Sequence, residues 1–165
     1  MTDVSTPPKV FTYIRQNTQE HESLAVYPYS KNVETLFWMR EHKRPFINTR
    51  DLVKPEFGFD SKDFTAKLTS CEGILEARNL GIDYLVYFPV VDRNMMESYA
   101  FFDETPLLEK VKVFKELDPK FKDLGIWSNF IHIENYGTKM DSTAVLYRIF
   151  VDDYDLAREK CLVKY

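Results

Sequence analysis

Ile82 to Val91 reads IDYLVYFPVV, and this stretch decides the fold. It is rich in β-branched and aromatic residues, which favours a strand. It is apolar at both parities, so both of its faces need cover. That places it centrally in a sheet with layers on either side. Pro89 cannot donate to a sheet ladder, so it belongs near the strand end or at a bulge.

Working outward, Lys62 to Leu80 precedes this strand with helical spacing. Phe64, Leu68, Cys71 and Leu75 form the stripe, Ser61 is the expected cap and Gly81 the stop. Gly73 inside that helix costs about 1 kcal/mol relative to alanine, so a close packing neighbour is expected there. After the strand, Asn94 to Phe102 reads as a short helix capped by Asp92. Thr105-Pro106 opens another, lined by Leu107, Leu108, Val111, Phe114 and Leu117.

Towards the N-terminus, Met1 to Pro8 reads as a flexible leader and Lys9 to Arg15 as a strand. Leu24 to Tyr29 is extended, and Pro28 makes it an edge strand or an irregular segment. Ser30 caps a helix to about His42 with Val33, Leu36 and Phe37 on its apolar face. Towards the C-terminus, Trp127 to Glu134 and Ala144 to Val151 read as a hairpin, and Asp152 or Asp153 caps a final short helix. Helices interspersed with close strand pairs give an α+β class. The expected architecture is a mixed or antiparallel sheet of four to five strands, with helices mainly on one face. Residues 9–165 then form one globular domain.

Composition narrows the function. The 165 residues are 44% hydrophobic and 29% charged, as in an ordinary globular chain. Five glycines are few, which weighs against a glycine-loop nucleotide site. A net charge of -4 argues against broad nucleic-acid binding. The N-terminus lacks the apolar core of a signal peptide, and the longest apolar runs are strand-length. The two cysteines, Cys71 and Cys161, read as reduced, buried thiols on helices, and together these points give a cytoplasmic expectation. No cofactor or metal is expected: the three histidines, His21, His42 and His132, have no ligand spacing.

Hairpin parity sets Val145, Tyr147, Ile149 and Val151 on one face. The other face gathers Phe130, His132 and Glu134 with Leu146, Arg148 and Phe150. A histidine beside a carboxylate suits acid–base work, and an arginine fork suits phosphate. Strand-end acids (Asp92, Glu134, Asp152, Asp153) suit Mg²⁺ or, more simply, helix capping. His21-Glu22-Ser23 resembles one motif of two-histidine phosphoesterases. The second motif departs, since Glu134 stands where a hydroxyl is needed. A basic segment, Arg40 to Lys54, holds five basic residues against two acidic ones. With Trp38 and Phe46 beside Arg40, Lys43 and Arg44, it suits a binding surface for protein or single-stranded nucleic acid; Trp38 and Phe46 equally suit the core.

Without a catalytic signature, the sequence favours a small intracellular regulatory or accessory protein that binds another protein, or a second copy of itself. The Phe, Tyr and Lys bias points to a phage-type inhibitor or host-modulating protein. The alternative is a phosphodiester-cleaving enzyme or single-stranded nucleic-acid binder using His132, Glu134 and Arg148. No membrane role is expected.

Overall fold

A computed structural model describes residues 7–47, 60–115 and 143–149, together with Asp155, Glu159 and Cys161. The side chains of Val33 and Val90 lie outside this set. So do residues 1–6 of the expected leader.

The strand read over 82–91 forms over its first six residues, β2 (Ile82–Tyr87), and is central. β1 (Ser23–Tyr27) lies parallel along one edge of it, and β4 (Ala144–Ile149) antiparallel along the other. β3 (Leu108–Phe114) pairs antiparallel with the far side of β4, so the order is β1-β2-β4-β3. The class is α+β with a mixed four-stranded sheet among the described residues. Pro89 sits just past β2, at the start of a 3₁₀ turn over Pro89–Val91.

Several elements depart from expectation. Residues 9–15 are helix, not strand: α1 spans Lys9–Asn17. Val10, Phe11 and Ile14 share one buried helical face. Pro8, with its fixed φ and missing N–H, stands at the N-cap. The helix expected from Thr105 is instead strand β3. A bulge between Lys110 and Lys112 leaves Val111 opposite no partner. Leu108, Lys110 and Val113 therefore face one side, and Glu109, Lys112 and Phe114 the other.

Of the expected hairpin, the second strand alone is described. Both edges of β4 are bonded, one to β2 and one to β3. Its two antiparallel neighbours among the described residues are β2 and β3; residues 127–134 of the expected hairpin lie outside the described residues. The parity reading of β4 holds: Val145, Tyr147 and Ile149 join one core cluster, Ala144 and Leu146 the other.

The helices cover both faces rather than mainly one, because β1, β2 and β4 are apolar at both parities. On one face lie α4 (Ser61–Ala66), α5 (Cys71–Asn79) and α6 (Met95–Glu104), packed through Phe64, Leu68, Ile74 and Phe102 onto Ala25, Leu85, Val145 and Tyr147. On the other, α1, Trp38 and Phe46 cover Leu24, Val26, Val86 and Leu146.

The long helix read over 62–80 is two. Asp60 caps α4, accepting from the Lys62 and Asp63 N–H groups. A 3₁₀ turn over Lys67–Thr69 follows, and Ser70 caps α5 by accepting from the Gly73 N–H at 3.2 Å. Gly81 ends it at φ 83.

The cysteines are bonded to each other, not reduced. Cys71 and Cys161 form a disulfide with Cα atoms 5.7 Å apart across 90 positions. Of the final helix expected, Asp155, Glu159 and Cys161 are described and each is helical; its expected cap, Asp152 or Asp153, lies outside the described residues. Among the described residues no helix is long and apolar enough to cross a membrane.

Candidate functional site

The sequence pointed to Trp38, Arg40, Lys43, Arg44 and Phe46, and these fall on both sides of the protein surface. The expected single helix breaks at Trp38 into α2 (Asn32–Phe37) and α3 (Met39–His42), preceded by a 3₁₀ turn over Tyr29–Lys31. The break turns Trp38 into the core with Phe46. It leaves Phe37 43% and Met39 40% exposed. Phe37 thus leaves the apolar face assigned to it, and the sequence offered no signal for that beyond the break itself.

Arg40 is exposed and lies over these rings. Its guanidinium carbon is 4.3 Å from the Phe37 centroid and 5.0 Å from that of Trp38. Phe37 and Trp38 meet edge-to-face at 4.9 Å. The guanidinium thus sits over apolar ring carbon, a cation–π contact that also shields the rings from water. Lys43 is exposed beside it and ends α3 in the left-handed region at φ 51.

Arg44 is buried and faces inward. Its guanidinium donates to the Arg15 carbonyl at 3.0 Å and the Thr18 carbonyl at 2.7 Å, closing the C-terminal end of α1. His42 is buried next to it. Its Nε2 lies 3.1 Å from the Thr35 carbonyl, and its Nδ1 accepts from the Arg44 N–H. That pattern is the neutral imidazole with the proton on Nε2.

Burial first, then the nearby Arg44 charge, holds His42 below its ordinary 6.5, against an opposing hydrogen bond to Thr35. The unfolded chain then binds the extra proton more readily. His42 contributes stability that is present above pH 6.5 and lost as pH falls through its folded value. The urea midpoint should fall on acidification from pH 7.5 to 5.5, and His42→Gln should remove that part of the fall. An unchanged pH profile in His42→Gln would exclude the assignment.

Asn32, at the start of α2, was not singled out from sequence. Its buried Nδ2 has no hydrogen-bond partner among the described residues. Beside it Lys31 is also buried, bonded to Glu34 at 2.7 Å and lying 5.0 Å from the Phe88 ring centroid.

No family model, curated protein or solved structure matches this chain. The functional reading therefore rests on the residues themselves.

The second proposed face is only partly described. Arg148 is exposed near the end of β4, opposite Tyr84 on β2 and Glu109 on β3. Phe130, His132, Glu134 and Phe150 lie outside the described residues, as do Asp152 and Asp153. Asp92 does not cap α6, whose N-cap is Asn94 with no side-chain cap bond; it accepts from the Tyr87 hydroxyl at 2.8 Å and the Asn94 N–H at 2.9 Å. Among the described residues no group of three or more His, Cys, Asp or Glu side chains is set to hold a metal ion.

Proposed function

We propose that this chain acts by binding another protein through the Phe37, Met39 and Arg40 surface. The carrying observation is an exposed aromatic and an exposed thioether two positions apart, the aromatic packed edge-to-face on a tryptophan that is locked in the core. A rigid apolar anchor under an arginine is the composition of an interface hot spot. A methionine beside it adapts its shape to a partner.

The sheet edges favour this helical surface over strand addition. The outer edge of β1 is covered by Pro45–Ile47, whose backbone bonds Leu24 on both sides at 2.8 and 3.0 Å. The outer edge of β3 carries the bulge at Val111 and the lysines 110 and 112, devices that discourage edge pairing.

The nucleic-acid reading loses support here, because Arg44, Trp38 and Phe46 point inward. The phosphodiester reading keeps only Arg148 among its described residues.

A photo-crosslinking residue placed at Met39 should give discrete protein adducts in the native host extract, and Phe37→Ser should abolish them. The same residue at Glu76, exposed on α5, should not give them. Adducts equal from both positions, or none from Met39 with a monomer by light scattering, would sink the reading. A single adduct at twice the chain mass would identify the partner as a second copy.

A further inference from the structure

We infer that His42 is an acid-operated latch on the binding surface: a proton on its ring releases the α3 turn from α1, and the surface built on Met39 and Arg40 comes apart. The purpose of the latch rests on the binding reading above. Its mechanism rests on the contacts of His42.

The ring is fully buried where three segments meet. From α1 it meets the Phe11 ring, with centroids 5.3 Å apart. From α2 it meets the Thr35 carbonyl through Nε2. From the segment after α3 it meets Arg44, whose backbone N–H donates to Nδ1 at 3.1 Å. Of the charged groups on these elements, Glu41 is paired with Arg15 across α3 and α1 at 3.4 Å, and Glu34 with Lys31 at 2.7 Å. Lys43 is exposed. The charge that acts on the ring is that of Arg44, and it opposes a second positive charge.

An added proton must go to Nδ1, because Nε2 already directs one at Thr35. Nδ1 then faces the Arg44 N–H donor to donor. That N–H loses its acceptor in the interior, and an imidazolium stands beside a guanidinium. Both costs vanish when the ring reaches water, and α3 is the element that must open to let it out. It is a single turn of four residues. The Trp38 and Met39 carbonyls close it, accepting from the His42 N–H at 3.0 Å and the Lys43 N–H at 2.9 Å. One turn has no cooperative length of its own and is held by its packing. Such a turn opens locally, with β2 and β4 still paired. Met39 and Arg40 belong to it, so opening takes them away from Phe37 and Trp38. In the open turn His42 titrates near its ordinary 6.5. While the folded ring stays neutral, going from pH 7.5 to 5.5 then favours the open turn by up to about tenfold.

The experiment measures hydrogen exchange of the full-length protein at pH 7.5 and 5.5, corrected for the intrinsic effect of pH on exchange. Opening at residues 38–44 should rise about three- to tenfold on acidification, with 82–87 and 144–149 unchanged. His42→Gln should hold 38–44 at one level across this range. His21→Gln, which alters an exposed histidine, should respond like the parent. If His42→Gln does not fold, the parent still decides: its His42 ring resonance should titrate below 6.5, in step with exchange at 38–44. Three outcomes would overturn the inference: exchange at 38–44 that ignores pH in the parent, the same pH response in a folded His42→Gln, or an equal rise at 82–87. The last would make His42 a staple of the whole fold. The crosslinking residue at Met39 separates the latch from the binding reading. Adducts formed at pH 7.5 should fall at least threefold at pH 5.5, and adducts that persist undiminished would sink the latch while binding stands. If none form at pH 7.5, the binding reading fails, and exchange at 38–44 still decides whether His42 opens α3.

Discussion

Gly73→Ala should destabilise the protein by about 3 kcal/mol or more. Helix propensity alone predicts the reverse, a gain of about 1 kcal/mol for alanine inside a helix. Geometry decides against propensity. A Cβ on Gly73 would lie 1.8 Å from the Lys67 carbonyl oxygen and 2.3 Å from its carbon. The contact is with backbone, so no side chain can swing away. The Lys67 carbonyl is also pinned, accepting from the Ser70 N–H at 3.0 Å and the Ser70 hydroxyl at 2.6 Å. Relief requires α4 and α5 to part, and that opens the packing of Leu68 and Ile74 on the sheet. The urea midpoint should drop with an unchanged slope. Glu76→Ala, on the exposed side of α5, should stay within about 0.5 kcal/mol of the parent. A Gly73→Ala variant as stable as the parent would mean that the approach of α5 to the 67–70 turn is not this tight.

The same glycine shows what was legible from sequence. Its cost inside a helix predicted a close neighbour, and the neighbour is the turn that divides the helix. The division itself was not legible. Ser70 lies between the stripe residues Leu68 and Cys71 without breaking their helical spacing, and it acts as a cap only because the chain turns there. β2 was legible as a buried central strand because it is apolar at both parities. The same pattern implied helices on both faces, which the one-sided expectation overlooked.

β3 was misread for a definite reason. Leu108, Val111 and Phe114 recur every three residues, which imitates a helix face. The bulge at Val111 shifts the strand's alternation by one and produces that spacing from a period of two. α1 failed in the opposite sense: Lys9 to Arg15 is short, β-branched and aromatic, and only its burial at positions 10, 11 and 14 distinguishes helix from strand. The bonded cysteines were not legible at all, since a separation of 90 positions says nothing about distance in space.

The binding surface was legible as composition but not as geometry. The sequence grouped Trp38, Arg40, Lys43, Arg44 and Phe46 by proximity along the chain. Whether each points outward depends on the break at Trp38 and on the left-handed turn at Lys43. Val145, Tyr147 and Ile149 were placed correctly because strand parity is strict once a strand is recognised.

Arg44→Met should cost about 3 kcal/mol, and this separates an internal role for Arg44 from a ligand-binding one. The guanidinium donates to Thr18 Oγ1 at 2.9 Å, the Lys43 carbonyl at 3.2 Å, and the Arg15 and Thr18 carbonyls. Hydrogen bonds from a charged donor contribute about 1.5–3 kcal/mol each when buried, and those water can reach contribute less. A cation at the C-terminal end of α1 also meets the negative end of the helix dipole. Methionine keeps most of the apolar stem, so the loss reports the donors rather than a cavity. Arg44→Lys should recover less than half of it, because one ammonium cannot span carbonyls on two sides of a fork. Amide exchange at the C-terminal turn of α1 should rise in both variants, while β2 and β4 keep their protection. An arginine whose work is to meet a ligand at the surface behaves differently: its removal leaves stability within about 0.5 kcal/mol and lowers binding alone. If Arg44→Met gives that second result, the guanidinium is released from α1 in solution and belongs with Arg40 on the binding surface. If it gives the first, the outward cations among the described residues of this segment are Arg40 and Lys43, and the partner is read by those two beside Phe37 and Met39.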